Sequence, residues 1–221
     1  MNVMARNRAA LERWWLPALL AAVVMLALVV DSATSRDVYA TLSGRLVAAP
    51  HRVRVAVEVV SEGGLVLLAV LFAVIAAARW RRSGSLLPMT TGLSVVAAYA
   101  ASEGLKTLHA APRPCWSSSA ARIVAECPAA GDWSLPSNHS AIAAALGAAV
   151  LLLAPRLWPP VVGLVVAVGA ARVGLGVHYP HDVLDGFTAG AGVVLAVHAG
   201  VLLAMRRLGR RRQVATTEAG A

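Results

Sequence analysis

The sequence predicts an all-α polytopic membrane protein, a bundle of six transmembrane helices with both termini in the cytoplasm. Three observations predict it. The 221-residue chain is 58% hydrophobic, against about 45–50% for a soluble domain. Its apolar residues fall into six runs, each close to the roughly 20 residues that a bilayer demands. The basic residues stand at the ends of those runs. Of the 20 Lys and Arg, twelve lie before residue 14, in the 79–82 turn, at Arg156 and after residue 205; the other eight lie in the opposite loops. The positive-inside rule puts the twelve in the cytoplasm.

No polar linker and no internal repeat divides the chain, so residues 1–212 read as one membrane domain and 213–221 as a disordered tail. The formal charge of +9 does not indicate nucleic acid. The arginines cap apolar runs instead of forming a basic face interleaved with aromatics. The partner they imply is the lipid bilayer.

The first span, 14–30, follows a basic tail and opens on Trp14-Trp15, interfacial anchors. It is longer than the hydrophobic region of a signal peptide and reads as a retained helix. Residues 31–54 are polar and mixed in charge, an expected external loop. The second span covers 55–78 and ends at Arg79-Trp-Arg-Arg82. Near its start Glu58 and Glu62 lie one turn apart and share a face; they meet either loop arginines or the bundle interior. The third span covers 86–105. A long loop follows, then spans at 136–154 and 157–176, separated by Pro155-Arg156. The sixth covers 183–205 and ends in Arg206-Arg207 and Arg210-Arg-Arg212.

The only two cysteines, Cys115 and Cys127, share the long loop expected outside. An oxidising compartment lets them pair, closing a short loop for about 3 kcal/mol; spacing alone leaves two free thiols as the alternative. No CxxC pair and no zinc-like His/Cys spacing occurs, so no metal site and no cofactor is expected.

Three polar clusters open on the same predicted face. Lys106-Thr-Leu-His-Ala-Ala-Pro-Arg113-Pro114 comes first, then Pro136-Ser137-Asn138-His139 at a helix start, then Arg172-Val-Gly-Leu-Gly-Val-His178-Tyr-Pro-His-Asp182. Polar residues at membrane helix ends are costly and are functional candidates by default. Three permanent cations and a helix N-terminus suit a tetrahedral anion. Of two histidines, one can attack while the other handles the leaving-group proton. Asp182, four residues after His178, can fix its tautomer. His181 and Asp185 form a second possible couple. Arg122, Glu126 and Asp132 are candidates to shape a headgroup pocket.

Lys-x6-Arg-Pro, Pro-Ser-x-His and Arg-x5-His-x3-Asp, in this order, resemble the type 2 phosphatidic acid phosphatase superfamily in its membrane-integral branch. The resemblance covers 106–182 by motif and the six spans by architecture. It implies a metal-independent lipid phosphatase with His178 as nucleophile, forming a phosphohistidine. It implies that Asp182 orients His178 and that His139 protonates the departing oxygen and then activates water. Lys106, Arg113, Arg172 and Ser137 would hold the phosphoryl oxygens. Asn138 stands where the family usually has Gly, and either its backbone or its side-chain amide would face the phosphate. Ala171 replaces a frequent Ser.

The expected substrate is a membrane lipid carrying phosphate or pyrophosphate: an isoprenyl pyrophosphate such as undecaprenyl pyrophosphate, phosphatidic acid or phosphatidylglycerol phosphate. The expected location is the plasma (inner) membrane, with the site on the extracytoplasmic side. A lipid-to-lipid phosphotransferase and a polyprenyl-phosphosugar phosphatase are the alternatives. A scaffold or transporter is disfavoured, because no span carries the broken helices usual for transport.

Overall fold

A computed structural model describes residues 32–117 and 123–218, and all regular structure among them is helical. The predicted first span and Arg122 lie outside the described residues. The helices are α1 (Ser32–Val47), α2 (His51–Ser83), α3 (Leu87–His109), the single turn α4 (Pro114–Ser117), α5 (Asn138–Leu153), α6 (Trp158–Gly174) and α7 (Pro180–Glu218); a 3-10 turn at Pro155–Leu157 joins α5 to α6.

Three stretches are long and apolar enough to cross a membrane: His51–Ser83, Pro155–Gly174 and Pro180–Met205. They correspond to the spans expected at 55–78, 157–176 and 183–205. The spans expected at 86–105 and 136–154 also form helices. However, the apolar character of α3 is broken by Thr90, Thr91, Ser94, Ser102 and Glu103, and α5 has only 16 residues.

One expectation needs correction. Most of the stretch expected as a loop at 31–54 is helical, because α1 occupies Ser32–Val47. Its buried positions are Ser35, Tyr39, Ser43 and Leu46, one face at helical spacing. That face is mostly small and polar, so it carries no apolar stripe to read.

The core is built around α5. Its sequence Ala141-Ile-Ala-Ala-Ala-Leu-Gly-Ala-Ala-Val150 is apolar all round, and a helix of that kind belongs inside. Nearly every residue from Ser140 to Leu153 is buried, against α2, α3, α6 and α7. Small residues let these neighbours approach closely, which is how helices associate in lipid. The closest approach is by α7. A Cβ on Gly190 would lie 2.0 Å from the Ala141 carbonyl oxygen, and one on Gly186 would lie 2.6 Å from the Ser137 oxygen. At the opposite end Arg79 donates to the Leu153 carbonyl, tying α2 to the end of α5. The starts of α2, α5 and α7 and the ends of α3 and α6 therefore share one side of the bundle.

Candidate active site

His178 lies in the short connection from α6 to α7. Gly176 makes that turn at φ +85°, a left-handed conformation that glycine adopts without strain. Val177 N–H donates to Arg172 O at 3.3 Å, folding the end of α6 back on itself. Pro180 then opens α7, where a missing N–H costs nothing. Asp182 accepts from the Tyr179 N–H at 2.7 Å and caps the new helix. The Ser137 N–H donates to Asp182 O at 2.9 Å, so the Gly186–Gly190 contact and this bond clamp α7 onto the start of α5.

His178 and Asp182 are both buried. Their nearest side-chain atoms, Nδ1 and Oδ2, are 3.6 Å apart, too far for a direct hydrogen bond. Ser134 fills the gap. Its Oγ donates to Asp182 Oδ2 at 2.6 Å and lies 3.3 Å from His178 Nδ1. On the other side of the ring, Arg113 Nη1 is 3.0 Å from His178 Nε2. A guanidinium only donates, so Nε2 carries the lone pair and Nδ1 carries the proton. The chain Nδ1–H to Ser134 to Asp182 then holds the ring in that tautomer. Burial pushes the His178 pKa down to about 4, and Arg113 and Arg172 add to the shift against the pull of Asp182. A neutral imidazole keeps a lone pair on Nε2, the form a histidine needs to act as a nucleophile or base.

Two predictions follow from this geometry. His178 should remain neutral until pH falls through about 4, whereas an unperturbed histidine protonates near 6.5. Histidine NMR of the protein beside His178→Ala assigns the resonance; titration near 6.5 would contradict the buried, cation-flanked ring. Ser134→Ala removes a hydrogen bond to a charged group, about 1.5–3 kcal/mol, which corresponds to about 10- to 150-fold in rate. The loss should fall on kcat with KM nearly unchanged, and Ser134→Thr should restore part of it.

The cations converge beside the ring. Arg113 donates to Val177 O at 3.1 Å and pairs with Asp132 Oδ1 at 2.8 Å, the same oxygen that Lys106 meets at 2.7 Å. Burial works to raise the Asp132 pKa, but the hydrogen bonds and charges of Lys106 and Arg113 hold it below the usual carboxylate range. Arg172 reaches Glu62 Oε1 at 3.2 Å and Ser61 Oγ at 3.3 Å on α2. Its Nε is buried with no hydrogen-bond partner among the described residues, a donor that an anion's oxygen can take. His139, in the first turn of α5, has Nε2 at 2.9 Å from the same Glu62 oxygen.

The structure thus brings Lys106, Arg113, Arg172, His139, His178 and Asp182 together. Two other expected residues are used differently. Ser137 is the N-cap of α5 and accepts from the Ser140 N–H and hydroxyl. The Asn138 side chain is turned to α3, accepting from Ser102 at 2.7 Å and donating to Glu103. His181 faces Ser35 at 2.7 Å and Asp182 at 3.2 Å, away from the couple with Asp185 that its spacing also allows. Cys115 and Cys127 are joined, with Cα atoms 6.0 Å apart, in the loop that carries Asp132.

Ser134 and Glu62 were not assigned to the site from sequence, and Asp132 was a candidate only for the headgroup pocket, not for pairing with Lys106 and Arg113. Ser134 had a local signal, since it stands three residues before Ser137. Glu62 had only the general signal of a charge within an apolar span.

The chain matches the family model of the PAP2 superfamily over residues 87–206. It belongs to the PAP2 superfamily. Like the members of that superfamily it is an enzyme, a hydrolase of lipid phosphate esters. A solved structure is also similar, described as the first transmembrane PAP2 type phosphatidylglycerolphosphate phosphatase from Bacillus subtilis. It superposes with a TM-score of 0.63 at 22% identity, covering 84% of this chain and 95% of that one. That likeness is one of fold. Among curated proteins no relative matches the chain. The matched PAP2 region contains every expected catalytic and phosphate-binding residue, whereas Glu62 lies before it.

Proposed function

We propose that this PAP2 protein hydrolyses a phosphomonoester or pyrophosphate of a membrane lipid through a phosphohistidine, without a metal. The observation that carries the reading is the neutral His178, its Nε2 lone pair 3.0 Å from Arg113 inside a ring of cations. Nε2 attacks phosphorus and the bond to the lipid oxygen breaks. The His139 proton goes to that oxygen. Water then attacks the phosphohistidine, His139 takes its proton, and free phosphate and His178 are regenerated. Lys106, Arg113 and Arg172 hold the phosphoryl oxygens, and the loose transition state makes such electrostatic positioning most of the work. These permanent cations supply the charge that a metal ion supplies in other phosphatases.

The site is read as extracytoplasmic, in a six-span plasma-membrane protein with both termini inside. The distribution of twelve basic residues against eight supports that orientation. The length of α5, 16 residues or about 24 Å, supports a recessed site. With its far end at the cytoplasmic boundary it stops short of the roughly 30 Å hydrocarbon, so a phosphate enters at the level of the headgroups while the tail stays in lipid.

Isoprenyl pyrophosphates, phosphatidic acid and phosphatidylglycerol phosphate all satisfy this chemistry. The similar solved structure is a phosphatidylglycerolphosphate phosphatase, which puts that lipid on the test panel. The test is phosphate release by purified protein from diacyl and isoprenyl phosphates and pyrophosphates. Release from one class names the substrate. Label passing to an acceptor lipid without free phosphate would replace the hydrolase with a phosphotransferase.

A further inference from the structure

Each of two carboxylate oxygens bridges a pair of groups assigned to the substrate. Asp132 Oδ1 lies 2.7 Å from Lys106 Nζ and 2.8 Å from Arg113 Nη2. Glu62 Oε1 lies 2.9 Å from His139 Nε2 and 3.2 Å from Arg172 Nη1. Those four atoms belong to the residues proposed above to hold phosphoryl and leaving-group oxygens. The cations are fixed and buried, with side chains 3–11% exposed, whereas Asp132 is 49% and Glu62 63% exposed. The carboxylates are therefore the movable partners. They also come from separate places: Glu62 from the middle of α2, and Asp132 from the disulfide-bearing loop.

We infer that Glu62 and Asp132 occupy the phosphoryl-oxygen positions of the empty site and select the lipid by the charge it must bring to displace them. This rests on the reading of the cluster as a phosphate site. A terminal phosphate is close to a dianion at neutral pH, with second pKa about 6, and has three free oxygens. It replaces two bridging carboxylates with equal charge. A phosphodiester has two free oxygens and one charge, so exchanging it for two carboxylates leaves the buried cations under-compensated, which is costly away from water. The bulk lipids of the membrane are phosphodiesters at high local concentration. The two carboxylates keep them out of a site that three cations would otherwise open to any phosphate. Specificity of this kind comes from an element that penalises the wrong ligand.

The test uses the purified full-length protein in detergent, titrated calorimetrically with inorganic phosphate, beside Glu62→Gln and Asp132→Asn. Both replacements keep shape and remove charge. Phosphate affinity should rise about tenfold in each variant. Phosphatidylglycerol, a monoanionic diester, added in mixed micelles should compete with phosphate in the variants and not in the parent protein. Unchanged or weaker phosphate binding in Asp132→Asn and Glu62→Gln overturns the inference. In particular, a Glu62→Gln protein with unaltered phosphate Kd and a reduced kcat makes Glu62 a positioning residue for His139. No phosphate binding by any of the three proteins, each shown to be folded, overturns the phosphate-site reading itself. The two variants lie on different elements, so misfolding of one leaves the other as the test.

Discussion

His178→Ala lowers phosphate release by about 10⁴-fold or more, the scale on which loss of a nucleophile is felt, while the protein keeps its fold. The size follows from what the other residues can do alone. Lys106, Arg113 and Arg172 still bind and polarise a phosphate in the variant, but no atom remains at the end of the Ser134–Asp182 chain to take it. Substrate binding should therefore survive better than turnover, and the defect should appear in kcat. The variant also removes a buried ring packed among Arg113, Ser134 and Asp182, so circular dichroism and size-exclusion profiles must accompany the assay. His181→Ala is the paired control. It touches Asp182 from the other side at 3.2 Å and Ser35 at 2.7 Å, and it should cost far less. A larger loss in His181→Ala than in His178→Ala would mean that the two histidines had been assigned the wrong way round.

Gly190→Ala should damage both stability and activity, although it lies well below the catalytic groups. Its Cβ would stand 2.0 Å from the Ala141 oxygen, 2.8 Å from the Ala141 carbonyl carbon and 3.0 Å from Cα. Backbone cannot yield locally as a flexible side chain can, so α7 has to move away from α5. Overpacking of this kind costs about 1–3 kcal/mol and sometimes more. The movement also pulls Asp182 from the Ser137 N–H at the other end of the contact, and a displacement of about 1 Å at a catalytic group can cost about 10²-fold. Thermal unfolding in detergent should shift down, and activity should fall at temperatures where the variant is still folded. Gly192→Ala meets nothing within 4 Å among the described residues and replaces a poor helix former, so it should be neutral or slightly stabilising. Similar behaviour of the two variants would remove the close approach as the cause.

These two cases show where the sequence was legible. The residues proposed for catalysis carry chemistry at fixed spacing within single segments, and the ends of apolar runs place those segments on one face. Lys106, Arg113, His139, Arg172, His178 and Asp182 could be read that way. What lay beyond reading depends on distances across the chain. Glu62 meets His139 over a separation of 77 residues, and nothing in α2 indicates which charge its Glu will face. The α1 helix stayed hidden because its buried face is Ser35, Tyr39, Ser43 and Leu46, too polar to form a stripe. The roles expected of Ser137 and Asn138 were drawn from their motif alone. Their side chains instead answer local demands, a helix cap and a tie to Ser102 and Glu103. The Gly186–Gly190 pair was present as a small-x3-small pattern, but only packing against Ala141 gives it meaning.

The most direct measurement is to trap the intermediate. The purified protein is mixed with a lipid labelled in its terminal phosphate and quenched within one turnover. The account predicts label on the protein that is lost in acid and stable in base, as a phosphohistidine is, and that maps to His178. Turnover with no protein-bound label at any quench time, or label that maps to another residue and persists in His178→Ala, would contradict it.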